Sequence, residues 1–175
     1  MSDEKILHYY PKNSFSEFVE NLNDLRLEGS PKFTLVVGSF TQSHQNITFL
    51  QLYEMLRLYP NQIKTVARGK LDTASILLFL AGDVRASLRL SVFFLNGSFS
   101  LQTKFDEINK EASKKLLIER SQYTWDLVTK AFQERAGISP TKLQTLSKRI
   151  GGLKATEVKE LGIATRIENE TNYSF

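Results

Sequence analysis

The sequence predicts a single α/β domain built on a parallel sheet. Two continuous apolar runs rich in β-branched residues, Phe33–Val37 and Ile63–Ala67, are typical of strands that are covered on both faces. A helical pattern of apolar residues separates them, so the three elements form a strand–helix–strand unit with a right-handed crossover. The 175 residues, 41% of them hydrophobic and 24% charged, have the length and composition of one globular domain.

A strand and a helix precede this unit. Residues 6–10 are apolar and aromatic and are followed by Pro11, which indicates a short strand. Ser14 and Glu17 then have the spacing of a helix capping box. The next apolar residues recur at the spacing of one buried helix face: Phe15, Phe18, Val19, Leu22 and Leu25. We therefore expect a helix that ends at Gly29.

The middle of the chain predicts two helices and two short strands. Residues 48–58 repeat apolar side chains at helical spacing. Residues 69–72 are expected to turn the chain from the second strand into a helix over residues 73–81, which is apolar enough to be fully buried and is closed by Gly82. Short strands are expected over residues 86–90 and 92–95.

A long helix is predicted over residues 105–135. About 30 residues span ~45 Å, which exceeds the side of a domain of this size, so part of the helix must project. Its apolar stripe runs through Ile108, Ala112, Leu116, Trp125, Val128 and Phe132. Because a projecting apolar stripe needs a partner, we expect the last four of these residues to form a subunit interface.

The remaining elements close the domain. A helix that begins at Ser139 and Pro140 is expected to run to Ile150, followed by a short helix over residues 156–161 and a last strand over residues 163–167. Residues 168–175 are polar and predict a tail outside a single domain of residues 1–167.

Composition excludes several classes of function. The chain has no cysteine and two histidines, His8 and His44, so we expect no disulfide, no metal and no cofactor. The charged opening residues lack the apolar run of a signal peptide, and no apolar stretch reaches the roughly 18 residues of a membrane helix. The net charge of +4 comes from scattered basic residues, which argues against a nucleic-acid surface. We therefore expect a cytoplasmic protein that binds neither nucleic acid nor membrane.

Three segments together resemble the proteolytic subunit of the Clp protease. Residues 65–82, TVARGKLDTASILLFLAG, are similar to that family's nucleophile turn, in which two small residues precede the catalytic serine and an apolar helix ends in glycine. Residues 33–66 look like the family's strand, oxyanion loop, helix and strand, and residues 135–164 are similar to its closing segment. The resemblance implies the ClpP/crotonase-like spiral of β-β-α units, with a protruding handle helix.

The resemblance also implies that the catalytic residues of the family are replaced in this chain. The nucleophilic serine falls on Thr73, the histidine on Asn96 and the aspartate that orients the histidine on Ile150. The known threonine nucleophiles use a terminal amine as base, and an amide has no nitrogen that titrates near neutral pH. The two glycines of the oxyanion loop fall on Ser43 and His44.

Three functions are compatible with these residues. The first, which we expect, is a catalytically inactive homologue of the protease subunit that acts in assembly or interaction. The second is an active serine-type peptidase rebuilt around Ser75 or Thr73 with His44. The third is a crotonase-type enzyme that polarises an acyl-thioester carbonyl, although residues 38–46 carry no carboxylate. If the chain is inactive, we expect Thr73 to be a helix N-cap or a residue of the first helical turn, and Asp72 to be a capping carboxylate.

Assembly is the last expectation from the sequence. In the resembling family, subunits form rings, and paired rings meet through the handle helix. We therefore expect a homo-oligomer, with a complex that includes an active paralogue, or a bound peptide or protein, as alternatives. Five residues precede the first strand, so the resemblance does not include the segment that lines the family's axial pore, and we expect no docking to an unfoldase.

Overall fold

The computed structural model of the chain describes residues 5–9, 15–38, 46–95 and 111–173. Strands and helices alternate along most of its length, which is the pattern of an α/β protein. In chain order the elements are β1 (Lys5–Tyr9), α1 (Phe15–Leu27), β2 (Phe33–Val37), α2 (Asn46–Arg57), β3 (Ile63–Ala67), β4 (Lys70–Leu71), α3 (Thr73–Leu80), β5 (Val84–Leu88), β6 (Val92–Phe93), α4 (Glu111–Ala136), α5 (Pro140–Ser147), β7 (Leu153–Lys154), α6 (Ala155–Glu160) and β8 (Arg166–Glu168), followed by a 3₁₀ turn (Glu170–Tyr173).

Five parallel strands form the main sheet, in the order β1-β2-β3-β5-β8. β2 and β3 begin and end at the residues that the apolar runs predict, and every residue of β2 is buried. The two strands pair in register, with Leu35 opposite Thr65. A second sheet has the order β4-β6-β7, in which β4 and β6 are parallel and β7 is antiparallel to β6. The predicted α/β class is confirmed.

The main core lies between the first sheet and its helices. It is centred on α3, whose eight residues are all buried. The Phe79 ring meets Phe93 of β6 edge to face, with 5.6 Å between the ring centroids, so α3 also packs against the second sheet. Gly82 follows α3 and lies against Thr65 of β3, and Gly82 is the residue that the sequence predicts at this helix end. The buried helix that the sequence predicts is therefore confirmed.

Two arginines hold the end of α3. Arg85 of β5 donates to four backbone carbonyls at distances of 2.8–3.2 Å, those of Gly82, Arg135, Gly162 and Ile163. Arg135 of α4 donates to the carbonyls of Leu80 and Gly82. The last carbonyls of a helix have no intrahelical donors and carry the negative end of its dipole, so cationic donors stabilise this end. These contacts connect β5, α3, α4 and the segment after α6.

The helix α4 ends before Gly137, as the sequence predicts. Gly137 adopts a left-handed φ of 68°, which glycine tolerates at a helix end. Val128 and Phe132 are fully buried in the main core, and Trp125 is half-buried against it. The prediction that Val128 and Phe132 contact another subunit is therefore wrong, because the core of the same chain covers them. Leu116 lies in the first half of α4, and its side chain is outside the described part.

The end of the chain differs from the prediction. α5 ends at Ser147, so the predicted helix does not reach Ile150. The last strand is Arg166–Glu168, shifted from residues 163–167, because Ile163 is buried in the main core instead of pairing on the sheet edge. Residues 168–173 are not a polar tail, since Glu168 belongs to β8 and Tyr173 is buried. The domain therefore extends beyond residue 167.

One strand differs slightly from its predicted bounds, and two predicted helix starts cannot be compared. β5 covers Val84–Leu88, two residues before the predicted strand over residues 86–90, because the chain turns at Arg89 and Leu90. Ser14 and residues 105–110, where a helix cap and the start of the long helix are predicted, lie outside the described residues.

Candidate functional site

The candidate site lies where β4, α3 and β6 meet. Gly69 turns the chain out of β3 with a positive φ of 76°, a conformation that favours glycine. Its carbonyl accepts a hydrogen bond of 2.9 Å from the Val92 amide, and the Leu71 carbonyl accepts one of 2.7 Å from the Phe94 amide. The start of α3 is therefore fixed against β6, the strand that precedes Asn96 in the sequence.

Asp72 caps the N-terminus of α3. Its Oδ1 accepts hydrogen bonds from the Ser75 amide at 2.8 Å and from the Ser75 hydroxyl at 2.7 Å. A carboxylate in this place satisfies an amide that has no helical partner and interacts favourably with the helix dipole. The capping role that the sequence predicts for Asp72 is confirmed.

Ser75, the predicted fallback nucleophile, is fully buried in the first turn of α3. Its exposed fraction is 0%, and its hydroxyl donates to the same carboxylate oxygen that caps the helix. A nucleophile must reach the substrate carbonyl, which a fully buried hydroxyl cannot do without opening the first turn of α3. Ser75 as an alternative nucleophile stays a prediction, and its burial argues against it.

Thr73 is the first residue of α3, as predicted, and its exposed fraction is 7%. Its Oγ1 lies 3.5 Å from the backbone carbonyl oxygen of Phe94, to which the hydroxyl donates. A hydroxyl becomes a nucleophile when a general base takes its proton, and a peptide carbonyl is not a base at neutral pH. This contact places Thr73 against the residue that follows β6.

Ile150 lies in the turn between α5 and β7. Its side chain is 100% exposed and carries no titratable group. Gly152 in the same turn approaches β6 so closely that an added Cβ would lie 2.4 Å from Cγ1 of Val92. β7 then pairs with β6, with Leu153 opposite Phe93. The structure therefore brings the turn that contains Ile150 to β6, the strand that also contacts the start of α3.

Three predicted site residues, Asn96, Ser43 and His44, lie outside the described residues, so their roles stay predictions. Over the described ranges, no group of three or more histidine, cysteine, aspartate or glutamate side chains is placed to hold a metal ion. Across the same ranges, no helix is both long enough and apolar enough to cross a membrane.

His8 lies on the edge strand β1, in register with Val36 of β2. Burial, and then the charge of Arg68, lower the pKa of His8 from its ordinary value of 6.5. The neutral imidazole is therefore favoured at neutral pH. Since β2 separates β1 from β3, His8 belongs to the edge of the sheet and not to the start of α3.

Comparison with known proteins gives a clear result for the fold. No protein-family model and no curated protein matches the chain. ClpP1 from Listeria monocytogenes has a TM-score of 0.71 and 15% sequence identity, over 95% of this chain and 91% of its own. The chain has the ClpP fold. An asparagine-to-aspartate mutant of ClpP1 from the same organism has a TM-score of 0.73 and 19% identity, over 97% of this chain and 92% of its own.

The ClpP fold expected from the sequence resemblance is therefore confirmed over nearly the whole chain. At 15–19% identity the likeness establishes the fold and leaves the chemistry to the residues of this chain. The residue at the start of α3, after the turn at Gly69, is Thr73.

Two polar groups were not predicted from the sequence. One is the pair of arginines at the end of α3, and its only local signal is a charged residue, Arg85, inside the apolar strand β5. The other joins Lys64, Glu168 and Tyr173, and its only local signal is an aromatic residue in a polar segment. Both groups bring together residues that are far apart in the sequence.

Proposed function

We propose that this chain is a catalytically inactive ClpP-fold protein that acts as an oligomeric assembly component. The observation that carries the proposal is the first turn of α3. Thr73 donates to a backbone carbonyl there, and Ser75 is fully buried and donates to Asp72. Acyl transfer by a hydroxyl needs an accessible oxygen and a base that takes its proton. The Ser75 oxygen is not accessible, and the described hydrogen bond of Thr73 goes to a group that is not a base at neutral pH.

The residues that the resemblance assigns to the other two triad positions support the same proposal. Asn96 offers an amide where a histidine is needed, and the exposed Ile150 offers an alkyl chain where a carboxylate is needed. Because three separate functions are missing, restoring one of them does not restore the others. We therefore expect Thr73→Ser alone to remain inactive.

Labelling with a fluorophosphonate probe, together with hydrolysis of a fluorogenic peptide, tests the proposed inactivity. We expect no labelling and no hydrolysis above the buffer rate for the parent chain and for Thr73→Ser. Thr73→Ala and Ser75→Ala serve as controls for background modification. Labelling of the parent that disappears in either alanine variant contradicts the proposal and favours the rebuilt peptidase.

The proposed assembly role rests on the first half of α4. The helix has 26 residues, about 39 Å at 1.5 Å per residue, and its described buried residues begin at Thr124. The described side chains before that residue, Glu119, Gln122 and Tyr123, are exposed, Tyr123 to 65%. Leu116, a residue of the predicted interface, stands one heptad before Tyr123 in the sequence. An exposed aromatic side chain such as Tyr123 suits contact with a second copy.

Light scattering at micromolar protein concentration tests the assembly. We expect a parent mass above the 20.0 kDa of one chain, and a lower mass for the double variant Leu116→Asp, Tyr123→Asp. Gln133→Asp is the control for an added aspartate, because it places one such charge at an exposed position of the same helix, in the half that packs on the core. A monomeric parent, or a double variant with the parent's mass, contradicts this role independently of the labelling result.

A further inference from the structure

The main sheet has a second apolar face, opposite the one that α3 covers. Val36 of β2 pairs with Val66 of β3, and Val66 pairs with Ala86 of β5, so the three side chains lie on the same side of the sheet. Leu88 follows Ala86 by two residues and shares that side. These four residues form a buried cluster with Tyr173, separate from the main core. Of the five described members, Tyr173 alone comes from outside the strands.

Tyr173 reaches this cluster from the 3₁₀ turn that follows β8, and its exposed fraction is 8%. Its hydroxyl donates to Oε2 of Glu168 at 2.6 Å and accepts a hydrogen bond from Nζ of Lys64. The same Nζ lies 3.2 Å from the Glu168 carboxylate and 5.1 Å from the centroid of the tyrosine ring. A cation near an aromatic face adds an electrostatic attraction to the burial of the ring. The surroundings therefore match both the ring and the hydroxyl of a tyrosine.

The acceptor in this pocket is an ionised carboxylate. Burial by itself would raise the pKa of Glu168, but hydrogen bonds from Tyr173 and Lys64, with the charges of Lys64 and Arg166, hold it below its ordinary value of 4.5. Nε of Arg166 lies 2.5 Å from the other carboxylate oxygen. Hydrogen bonds to an ionised acceptor are roughly twice as strong as those between neutral groups. The pocket therefore discriminates a tyrosine from a phenylalanine.

We call residues 169–173 the strap. Its described contacts include two more that involve side chains: Oε1 of Glu170 accepts from the Leu90 amide at 2.9 Å, and Nη1 of Arg68 donates to the Tyr173 carbonyl at 3.5 Å. β8, by contrast, pairs with β5 through three residue pairs of a parallel ladder. Short segments outside a strand ladder open at lower free energy than the sheet beneath them. The strap can therefore leave the sheet while β8 stays paired.

We propose that the strap is an internal ligand of the second sheet face, and that its release opens a pocket that binds a tyrosine side chain in trans. Tyr173 fills the pocket in the closed state, with its ring in the buried cluster and its hydroxyl between Lys64 and Glu168. In the open state the five-stranded sheet keeps its pairing. The strap thus controls access to an apolar face that the proposed inactive site does not use.

A variant that ends at Glu168 tests the proposal by methyl NMR of Val36, Val66 and Leu88. We expect these signals to shift when the strap is removed. They should return toward their positions in the full chain when a peptide of residues 169–175 is added at about millimolar concentration, which is what a short tether supplies. The same peptide with Ala in place of Tyr173 should not return them. Methyl signals that do not shift on truncation, or that shift equally with both peptides, overturn the proposal.

Hydrogen exchange in the full chain gives a second measurement. Because Glu170 holds the Leu90 amide, Tyr173→Ala should speed exchange at Leu90 several-fold, and Tyr173→Phe should speed it less, since the ring is kept and the hydroxyl lost. The amides of β3 should keep the parent's rates in both variants. Faster exchange throughout β3, or loss of the sheet's circular dichroism on truncation, would show that the strap is part of the core and overturn the proposal.

Discussion

Gly82→Ala should destabilise the fold, because Thr65 occupies the space that a Cβ needs. The added Cβ would lie 2.3 Å from Oγ1, 2.7 Å from Cγ2 and 2.9 Å from Cβ of Thr65. A β-branched side chain on a strand has few alternative rotamers, and the Thr65 hydroxyl donates to the Phe79 carbonyl at 2.7 Å. Relief therefore requires α3 to move away from β3 or this buried hydrogen bond to break.

Three contributions set the magnitude of the effect. Overpacking a close-packed core costs about 1–3 kcal/mol, and losing the hydrogen bond costs about 1 kcal/mol more. The lower entropy of alanine than of glycine in the unfolded chain offsets about 0.4–1 kcal/mol. The free energy of unfolding should therefore fall by about 2 kcal/mol, which lowers the midpoint of a urea titration by about 1 M for a slope of about 2 kcal/mol per M.

A double-mutant cycle checks the assigned cause. Thr65→Ala removes the two nearest atoms, so Gly82→Ala should cost about 1–2 kcal/mol less in that background than in the parent. Gly151→Ala is the matched control, because nothing lies within 4 Å of its added Cβ, and it should stay within about 0.5 kcal/mol of the parent. All variants are compared at one protein concentration, since assembly also contributes to stability. If the Gly82→Ala variant is as stable as the parent, or if the two substitutions have purely additive effects, contact between the added Cβ and Thr65 is not the cause of the loss.

Three other predictions use the same fold. Asp72→Ala should lower the free energy of unfolding by about 1 kcal/mol and Asp72→Asn by less, since asparagine also caps helices; equal losses in urea titrations would argue against the cap. Arg85→Met should lower the free energy of unfolding by roughly 3 kcal/mol, because four backbone carbonyls lose a charged donor. Arg85→Lys should have a thermal midpoint close to that of Arg85→Met, since lysine lacks the planar guanidinium group that reaches several carbonyls. The lowered pKa of Glu168, which faces Lys64, Arg166 and Tyr173, contributes stability that is present above pH 4.5 and is lost as the pH falls through the folded-state value. The parent should therefore lose stability faster than Glu168→Gln below pH 4.5, and parallel acid titrations would contradict this.

Elements with local signals could be predicted from the sequence alone. The limits of β2 and β3 were predictable because a strand buried on both faces needs an unbroken apolar run. This requirement holds whichever elements pack on the two faces. The capping role of Asp72 and the helix end at Gly82 were predictable for a similar reason, since a helix terminus is satisfied by residues within one turn of it. The ClpP fold itself was predicted from the resemblance of three segments to the proteolytic subunit of the Clp protease.

Which surfaces cover one another could not be predicted from the sequence and became known from the packing of the chain. The stripe with Val128 and Phe132 has the same helical period whether its partner is the chain's own core or a second subunit, so the sequence left the choice open and the packing of α4 on α3 settled it. Tyr173 pairs with Lys64 across 109 residues, and no local pattern encodes such a contact. Periodicity reports the direction in which an apolar side chain points along its own element, whereas burial depends on what the rest of the chain places there.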